Sequence, residues 1–93
     1  MSREIKRTSQ FKKDVKLMLR QGRKLDSLLN VVEMLQQDIP LPPEYKDHPL
    51  VGNWLGKREC HIEADLLLIY EKTDSLLLLT LVRTGTHSGI LGL

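Results

Sequence analysis

The segment Ile39-Pro40-Leu41-Pro42-Pro43 constrains the fold of this chain more than any other feature of its sequence. Proline lacks a backbone donor and disfavours helix in the residue before it, so no regular element can continue through this segment. Apolar residues recur with helical spacing before it and with strand-like spacing after it. The chain therefore divides into a helical first part and a strand-forming second part, joined by a loop that we expect to extend to about Leu50.

Two amphipathic helices are predicted before the prolines. The first begins at Thr8-Ser9, with Ser9 as the N-cap, and ends at Gly22. The apolar stripe of this helix is Phe11, Val15, Met18 and Leu19. A second helix is predicted from about Lys24 to Gln37, and its inner face carries Leu25, Leu28, Leu29, Val32 and Leu35. Because the connection between them is short, we expect a helix hairpin.

Short strands are predicted on both sides of this hairpin, at residues 3–8 and, after the loop, at 52–56, 57–63, 66–72 and 76–84. Residues 72–75 form a hairpin turn. Tight connections make neighbouring strands antiparallel. We therefore predict an α+β fold in the order βααβββ(β), with the helix hairpin packed on a twisted antiparallel sheet and residues 1–93 forming one domain.

Charge is unevenly distributed along the 93 residues. The net charge is +2, but residues 1–24 carry nine basic and two acidic side chains, whereas the rest carry five basic and ten acidic ones. Lys12, Lys16, Arg20 and Arg23 are predicted on the side of the first helix away from its apolar stripe. This distribution is typical either of a solvated helix face or of a surface that binds a polyanion such as nucleic acid, an anionic membrane or an acidic protein.

Several classes of protein are excluded by what the sequence lacks. The apolar runs at residues 66–70 and 76–79 are far shorter than the ~20 residues that span a bilayer, and no apolar segment follows the basic N-terminus. The lone Cys60 cannot form an internal disulfide. The sequence has no phosphate-binding loop and no HExxH, CxxC or GxSxG motif. We expect a small cytoplasmic protein with no membrane partner.

Three histidines are the candidate catalytic residues. His48 lies in the proline-rich loop, His61 lies on a predicted strand with Asp65 four residues later, and His87 follows the last strand. If the sheet brings them together, they could bind zinc, although their spacing matches no familiar zinc signature. They could instead act as general acid and base in RNA cleavage, with Arg83 stabilising charge on the phosphate and the basic helix contacting the phosphate backbone. The residues alone leave both chemistries open.

Several segments of the sequence resemble the YafQ toxins of the RelE/ParE superfamily, which are ribonucleases of bacterial type II toxin–antitoxin systems. The resemblance spans nearly the whole chain. It is densest in Lys13-Asp14-Val15-Lys16, in Leu41-Pro42, in Tyr45-Lys46-Asp47-His48-Pro49-Leu50, in His61-Ile62-Glu63 with Asp65, in Leu68-Ile69-Tyr70 and in Arg83-Thr84-Gly85-Thr86-His87. The Tyr-Lys-Asp-His-Pro-Leu and Arg-Thr-Gly-Thr-His segments are the most specific of these.

This resemblance implies a fold similar to that of microbial ribonucleases and a ribosome-dependent mRNA endoribonuclease, or mRNA interferase. Such a toxin cleaves mRNA in the A site of the 70S ribosome without a metal or other cofactor, leaving a 2′,3′-cyclic phosphate and a 5′-hydroxyl end. Its partners would be the mRNA, the rRNA and a cognate protein antitoxin that wraps around it. The exposed basic residues of the first helix are then expected to contact rRNA.

The resemblance also implies roles for individual residues. The family's catalytic residues correspond to His48, His61, Asp65 and His87, and its phosphate-binding arginine corresponds to Arg83. Where the family has a phenylalanine four residues after its last histidine, this chain has Leu91. Leucine cannot stack on a base as an aromatic ring does, so substrate positioning and base preference are left open.

One alternative has the same fold but a different kind of function. A ParE-like toxin would bind a target such as DNA gyrase and would need no chemistry of its own. The three histidines and the aspartate favour the ribonuclease, since a binding module has no need of them.

Overall fold

The computed structural model describes residues 2–91, apart from the side chain of Leu91. In chain order the elements are β1 (Glu4–Arg7), α1 (Ser9–Arg20), α2 (Asp26–Gln36), β2 (His48–Pro49), β3 (Arg58–Glu63), β4 (Leu66–Thr73), β5 (Leu78–Gly85) and α3 (His87–Leu91). Two single 3₁₀ turns, Pro43–Tyr45 and Gly52–Trp54, lie between α2 and β3. The α+β class is confirmed. No helix of residues 2–91 is both long enough and apolar enough to cross a membrane.

The five strands form one sheet in the order β1-β5-β4-β3-β2. The strands β3, β4 and β5 are antiparallel neighbours, as predicted from their tight connections, and β2, which was not predicted, is antiparallel to β3. The sheet is mixed because β1 pairs in parallel with β5, from Glu4 opposite Leu78 to Arg7 opposite Leu81. No tight turn joins these two strands, since both helices and three strands lie between them in the chain. No tight turn therefore requires β1 to be antiparallel to β5.

Each face of the sheet carries its own apolar cluster. The larger cluster packs α1 and α2 against the sheet, and it comprises Phe11, Met18, Leu28, Val31, Val32, Leu35, Cys60, Ile62, Leu66, Leu68, Tyr70, Leu79 and Leu81. A smaller cluster on the other face joins Leu67 and Ile69 to Ile90 of α3. Residues 66–70 are buried on both sides because β4 is the central strand. The lightly covered face leaves room for a site.

The ends of α1 differ slightly from the prediction. The N-cap is Thr8 and not Ser9, since the Thr8 hydroxyl accepts a hydrogen bond from the backbone N–H of Phe11 at 3.0 Å. Gly22 follows the helix end with a φ of +77°, a left-handed conformation that glycine adopts without strain. Arg23 therefore lies beyond α1, in the turn, and is not part of the predicted helical stripe.

The inner faces of the helices also differ in composition from the prediction. In α1, Leu19 is exposed, whereas Asp14 is buried among apolar residues of the inner stripe. In α2, Leu29 is exposed and Val31 is buried. A carboxylate at an inner position is costly unless it is hydrogen-bonded, so Asp14 must have partners of its own.

The connections around the strands hold the remaining differences. The predicted strand at 52–56 is a 3₁₀ turn, and the predicted loop contains the two-residue strand β2 at His48–Pro49. The segment after β5 forms α3, which the sequence did not predict. Its first residue is His87.

Candidate active site

A single buried carboxylate, that of Glu59, is surrounded by the three histidines. Its Oε1 atom lies 3.4 Å from Nε2 of His61, 3.6 Å from Nε2 of His48 and 3.8 Å from Nε2 of His87. The Glu59 side chain is 4% exposed, whereas those of His48 and His87 are 48% and 45% exposed. The cluster is therefore closed beneath the carboxylate and open to solvent on the histidine side.

The pairing of β2 with β3 brings two of these histidines to Glu59. His48 lies directly opposite Glu59 in the antiparallel register, and residues in this relation face the same side of a sheet. His61 follows Glu59 by two residues and faces the same side because side chains alternate along a strand. Cys60 and Ile62 point the other way, into the helix-covered core. The cluster thus lies on the lightly covered face.

His87 reaches the cluster from the start of α3. The Thr86 hydroxyl accepts a hydrogen bond from the backbone N–H of Gly89 at 3.0 Å, which caps this short helix. Ile90 is buried in the smaller apolar cluster and anchors the helix to the sheet. The rings of His61 and His87 meet edge to face with centroids 5.7 Å apart.

His48 is held in place by the residue before it. Asp47 accepts hydrogen bonds from the Tyr70 hydroxyl at 2.6 Å and from Nε of Arg58 at 3.2 Å. Burial, reinforced by the bond to Asp47, raises the pKa of the Tyr70 hydroxyl above its ordinary value, so this group remains a donor. Lys46 has a left-handed φ of +48°, which turns the chain into this anchor.

Asp65 lies apart from the three histidines. Its side chain is 71% exposed and forms an ion pair with Arg23, with Nη2 and Oδ2 4.0 Å apart. Within the described residues, the carboxylate that lies beside His61 is that of Glu59, and Asp65 forms no ion pair with a histidine. Alternation along β3 was the signal that could have identified Glu59, since it places Glu59 and His61 on the same side.

Cys60 has no role as a nucleophile. Its side chain is fully buried in the helix-covered core. Burial raises the pKa of the Cys60 thiol to about 12, so the reactive thiolate does not form near neutral pH.

A row of paired residues crosses the sheet from the histidines to Arg83. The register places His48 opposite Glu59, Glu59 opposite Ile69, and Ile69 opposite Arg83. Strands β3 and β5 are two strand spacings apart, about 10 Å. The Arg83 guanidinium itself bonds the Asp14 carboxylate of α1, with N–O distances of 3.0 and 3.1 Å.

A β-bulge in β5 puts Arg83 in this row. Ile69 pairs with Arg83, but the next residue, Tyr70, pairs with Leu81, which leaves Val82 as the extra residue. Leu81 belongs to the helix-covered core. The extra residue therefore brings Arg83 opposite Ile69 in the row, and its side chain reaches Asp14 of α1 at the uncovered edge of β5.

The basic residues of the N-terminal region occupy two different environments. Lys12, Lys16 and Arg20 are exposed along α1, on the side away from the sheet. Arg23 is half-buried in the turn, where it faces Asp65. Leu91 is the last residue of α3, and its side chain lies outside the described part of the chain.

Part of the histidine cluster has the donor set of a metal site. One ligand atom each from His48, Glu59 and His61 lies within 4.8 Å of the others. Imidazole and carboxylate together suit zinc or copper(II). The geometry by itself is compatible with both acid–base chemistry and metal binding.

Comparisons with known proteins identify the class. A family model described as a bacterial toxin of a type II toxin–antitoxin system, YafQ, matches residues 3–92. The mRNA interferase toxin YafQ of Escherichia coli K12 is 42% identical over 93 residues, which cover 99% of both chains. A chain of the E. coli DinJ–YafQ toxin–antitoxin complex superposes with a TM-score of 0.88 at 42% identity, covering 99% of this chain and 100% of that one. A metal-bound toxin from Helicobacter pylori superposes with a TM-score of 0.88 at 42% identity. The match covers 95% of this chain and 98% of that one.

The fold and the site therefore define a small α+β toxin of the type II toxin–antitoxin class. Within that class, the chain belongs to the YafQ family.

Proposed function

We propose that this toxin is an mRNA interferase, an endoribonuclease that cleaves mRNA with histidines as general acid and base and without a metal. The observation that carries the proposal is the cluster of three imidazoles around the buried carboxylate of Glu59. The relative from E. coli K12 bears the name of an mRNA interferase, which supports the same activity here.

The chemistry needs one group that accepts a proton and one that donates it. One histidine takes the proton of the 2′-hydroxyl, whose oxygen attacks the adjacent phosphorus, and another protonates the departing 5′-oxygen. A single carboxylate balances one positive charge, and adjacent imidazolium ions repel each other. Glu59 is therefore suited to balance the positive charge of the histidine that carries the proton during the reaction. The products are a 2′,3′-cyclic phosphate and a 5′-hydroxyl end.

Arg83 is proposed to bind the phosphate on which charge develops. The position of Arg83 in the row of paired residues that leads from the histidines across the sheet supports this role. Guanidinium groups bind phosphate oxygens in a bidentate manner. The catalytic role that the resemblance gives to Asp65 remains a proposal, and Glu59 is added to the set.

The partners follow from the family and from the charge distribution. A cognate antitoxin is supported by the DinJ–YafQ complex of the E. coli relative. We propose in addition that the toxin acts in the A site of the 70S ribosome in the cytoplasm, where it contacts mRNA and rRNA. The exposed Lys12, Lys16 and Arg20 are suited to rRNA phosphates.

The ParE-like alternative leaves the site unexplained. Burial of the Glu59 carboxylate is energetically unfavourable, and a surface that only docks onto a target does not require it. A docking surface also gains nothing from three imidazoles around that carboxylate, whereas proton transfer requires them.

A metal ion is a second candidate ligand for the same cluster, since a toxin from H. pylori is described as metal-bound. We infer that zinc or copper(II) would bind His48, Glu59 and His61 and inhibit cleavage, because coordination occupies the lone pair that a base needs. Cleavage should fall as zinc is added and return when EDTA removes it. Stimulation by zinc would contradict this inference.

The proposed activity is tested in a purified translation system. The expected result is cleavage of ribosome-bound mRNA that stops when initiation is blocked, with cyclic phosphate at the new 3′ ends. A linear phosphate at those ends would contradict the 2′-hydroxyl mechanism. Inhibition of gyrase without any cut in the mRNA would instead support the ParE-like function.

A further inference from the structure

Among the described residues, Asp14 on the inner face of α1 is a buried carboxylate that has no part in the proposed mechanism. Its side chain is 7% exposed. Its two oxygens accept four hydrogen bonds: from Nε of Arg83 at 3.1 Å, from Nη2 of Arg83 at 3.0 Å, from the backbone N–H of Thr84 at 3.1 Å and from Nε2 of Gln10 at 3.1 Å. Three of the four come from β5, next to the site.

The bonds from Arg83 use only one edge of its guanidinium. A guanidinium has five N–H groups, and Asp14 engages the edge formed by Nε and Nη2. Within residues 2–91, Nη1 makes no hydrogen bond, and no buried side-chain nitrogen lacks a partner, so Nη1 is open to solvent. The second edge, formed by Nη1 and Nη2, is therefore free to bind two phosphate oxygens.

The bond from Thr84 fixes the backbone at the same point. β1 pairs with β5 only as far as Leu81, so the outer edge of β5 is uncovered beyond that residue. Asp14 accepts the N–H of Thr84 that no strand there accepts. The segment that leads to His87 begins immediately afterwards, which means that one carboxylate orients the arginine and holds the strand end ahead of the last histidine.

We propose that Asp14 is a positioning residue, which holds one edge of Arg83 so that the other edge meets the scissile phosphate. This inference rests on the proposed role of Arg83 in cleavage. Hydrogen bonding to Asp14 also raises the pKa of Arg83 above its ordinary value, which keeps the guanidinium charged.

The test measures kcat and KM for cleavage of ribosome-bound mRNA by the full-length toxin. Asp14→Asn keeps the size of the side chain but removes the charge, and we expect kcat to fall about 100-fold with an unchanged KM for ribosomes, as a misplaced catalytic group predicts. Asp26→Asn removes the same charge from the exposed first turn of α2 and should leave both constants unchanged. In an Arg83→Ala background, Asp14→Asn should cause no further loss, since Asp14 acts through Arg83.

The possible outcomes separate this inference from the proposed function. A wild-type kcat for Asp14→Asn alongside an impaired Arg83→Ala would overturn the positioning role and leave the phosphate-binding role intact. Full activity of Arg83→Ala would overturn both.

A second variant covers the case in which Asp14→Asn does not fold, as judged by circular dichroism and antitoxin binding. Arg83→Lys keeps a positive charge beside Asp14 but has no second edge. We expect it to be as slow as Arg83→Ala, and a wild-type kcat for Arg83→Lys would refute the positioning role.

Discussion

Glu59 is the residue around which the proposed site is organised, since each of the three histidines has its Nε2 atom within 3.8 Å of the same carboxylate oxygen. The carboxylate is nearly fully buried, so solvent screens its charge only weakly.

Glu59→Gln tests this role at the scale of one residue. The amide keeps the shape of the carboxylate but cannot balance an imidazolium, so we expect kcat to fall by about 100-fold or more, with the affinity for ribosomes unchanged. Single-turnover cleavage of ribosome-bound mRNA measures the effect. Glu33→Gln, on the exposed side of α2, is the matched control. A wild-type rate for Glu59→Gln would remove the carboxylate from the mechanism.

The three histidines and Arg83 could be predicted as candidate site residues from the sequence, but the carboxylate that joins the histidines could not. Asp65 was a candidate because it closely follows His61 in the sequence, whereas Glu59 was not among the predicted site residues. The choice depends on the register of β2 with β3, which places His48 opposite Glu59. A two-residue strand within a proline-rich loop leaves no periodic pattern, so this register cannot be read from the sequence.

At the scale of elements, β2 is positioned by a side-chain network rather than by a long ladder of backbone bonds. Asp47 joins the start of β2 to Tyr70 on β4 and to Arg58 on β3. Because β2 has only two residues, the position of His48 should depend on this network.

Tyr70→Phe tests that dependence by removing one hydroxyl from the network. We expect the free energy of unfolding to fall by about 1 kcal/mol and kcat to fall as His48 loses its anchor. Urea unfolding and single-turnover cleavage measure the two effects. Tyr45→Phe is the matched control, since the Tyr45 hydroxyl makes no hydrogen bond within the described residues. Loss of stability with an unchanged kcat would show that His48 does not need the anchor.

The elements that could be predicted are those with long periodic patterns. Both long helices and the strands β3, β4 and β5 were predicted near their observed positions, because apolar spacing and turn residues determine them locally. The parallel pairing of β1 depends on a partner more than 70 residues away. α3 depends on Ile90 packing against the far face of the sheet. Contacts between residues that are distant in the sequence leave no local pattern from which they could be predicted.

At the scale of the whole molecule, the proposed catalytic cluster and the exposed basic residues of α1 have separate tasks. Replacing Lys12, Lys16 and Arg20 with glutamine should weaken ribosome binding and make it less dependent on salt. The slope of the logarithm of the binding constant against the logarithm of the salt concentration should become shallower by about 2 to 3. The rate of cleavage within the bound complex should not change. Binding measured across a salt series provides the test, and identical slopes for variant and wild type would mean that these residues are merely solvated.

The most direct test of the account concerns the 2′-hydroxyl of the substrate. Attack by that group is what allows histidines to cleave RNA without a metal, whereas a metal-activated water would not need it. The measurement compares two ribosome-bound mRNAs that differ by a single 2′-deoxy nucleotide immediately before the scissile bond. We predict that the toxin cleaves the all-ribose mRNA and leaves the substituted bond intact. Cleavage of both at the same rate would contradict the mechanism and the roles proposed for His48, His61 and His87.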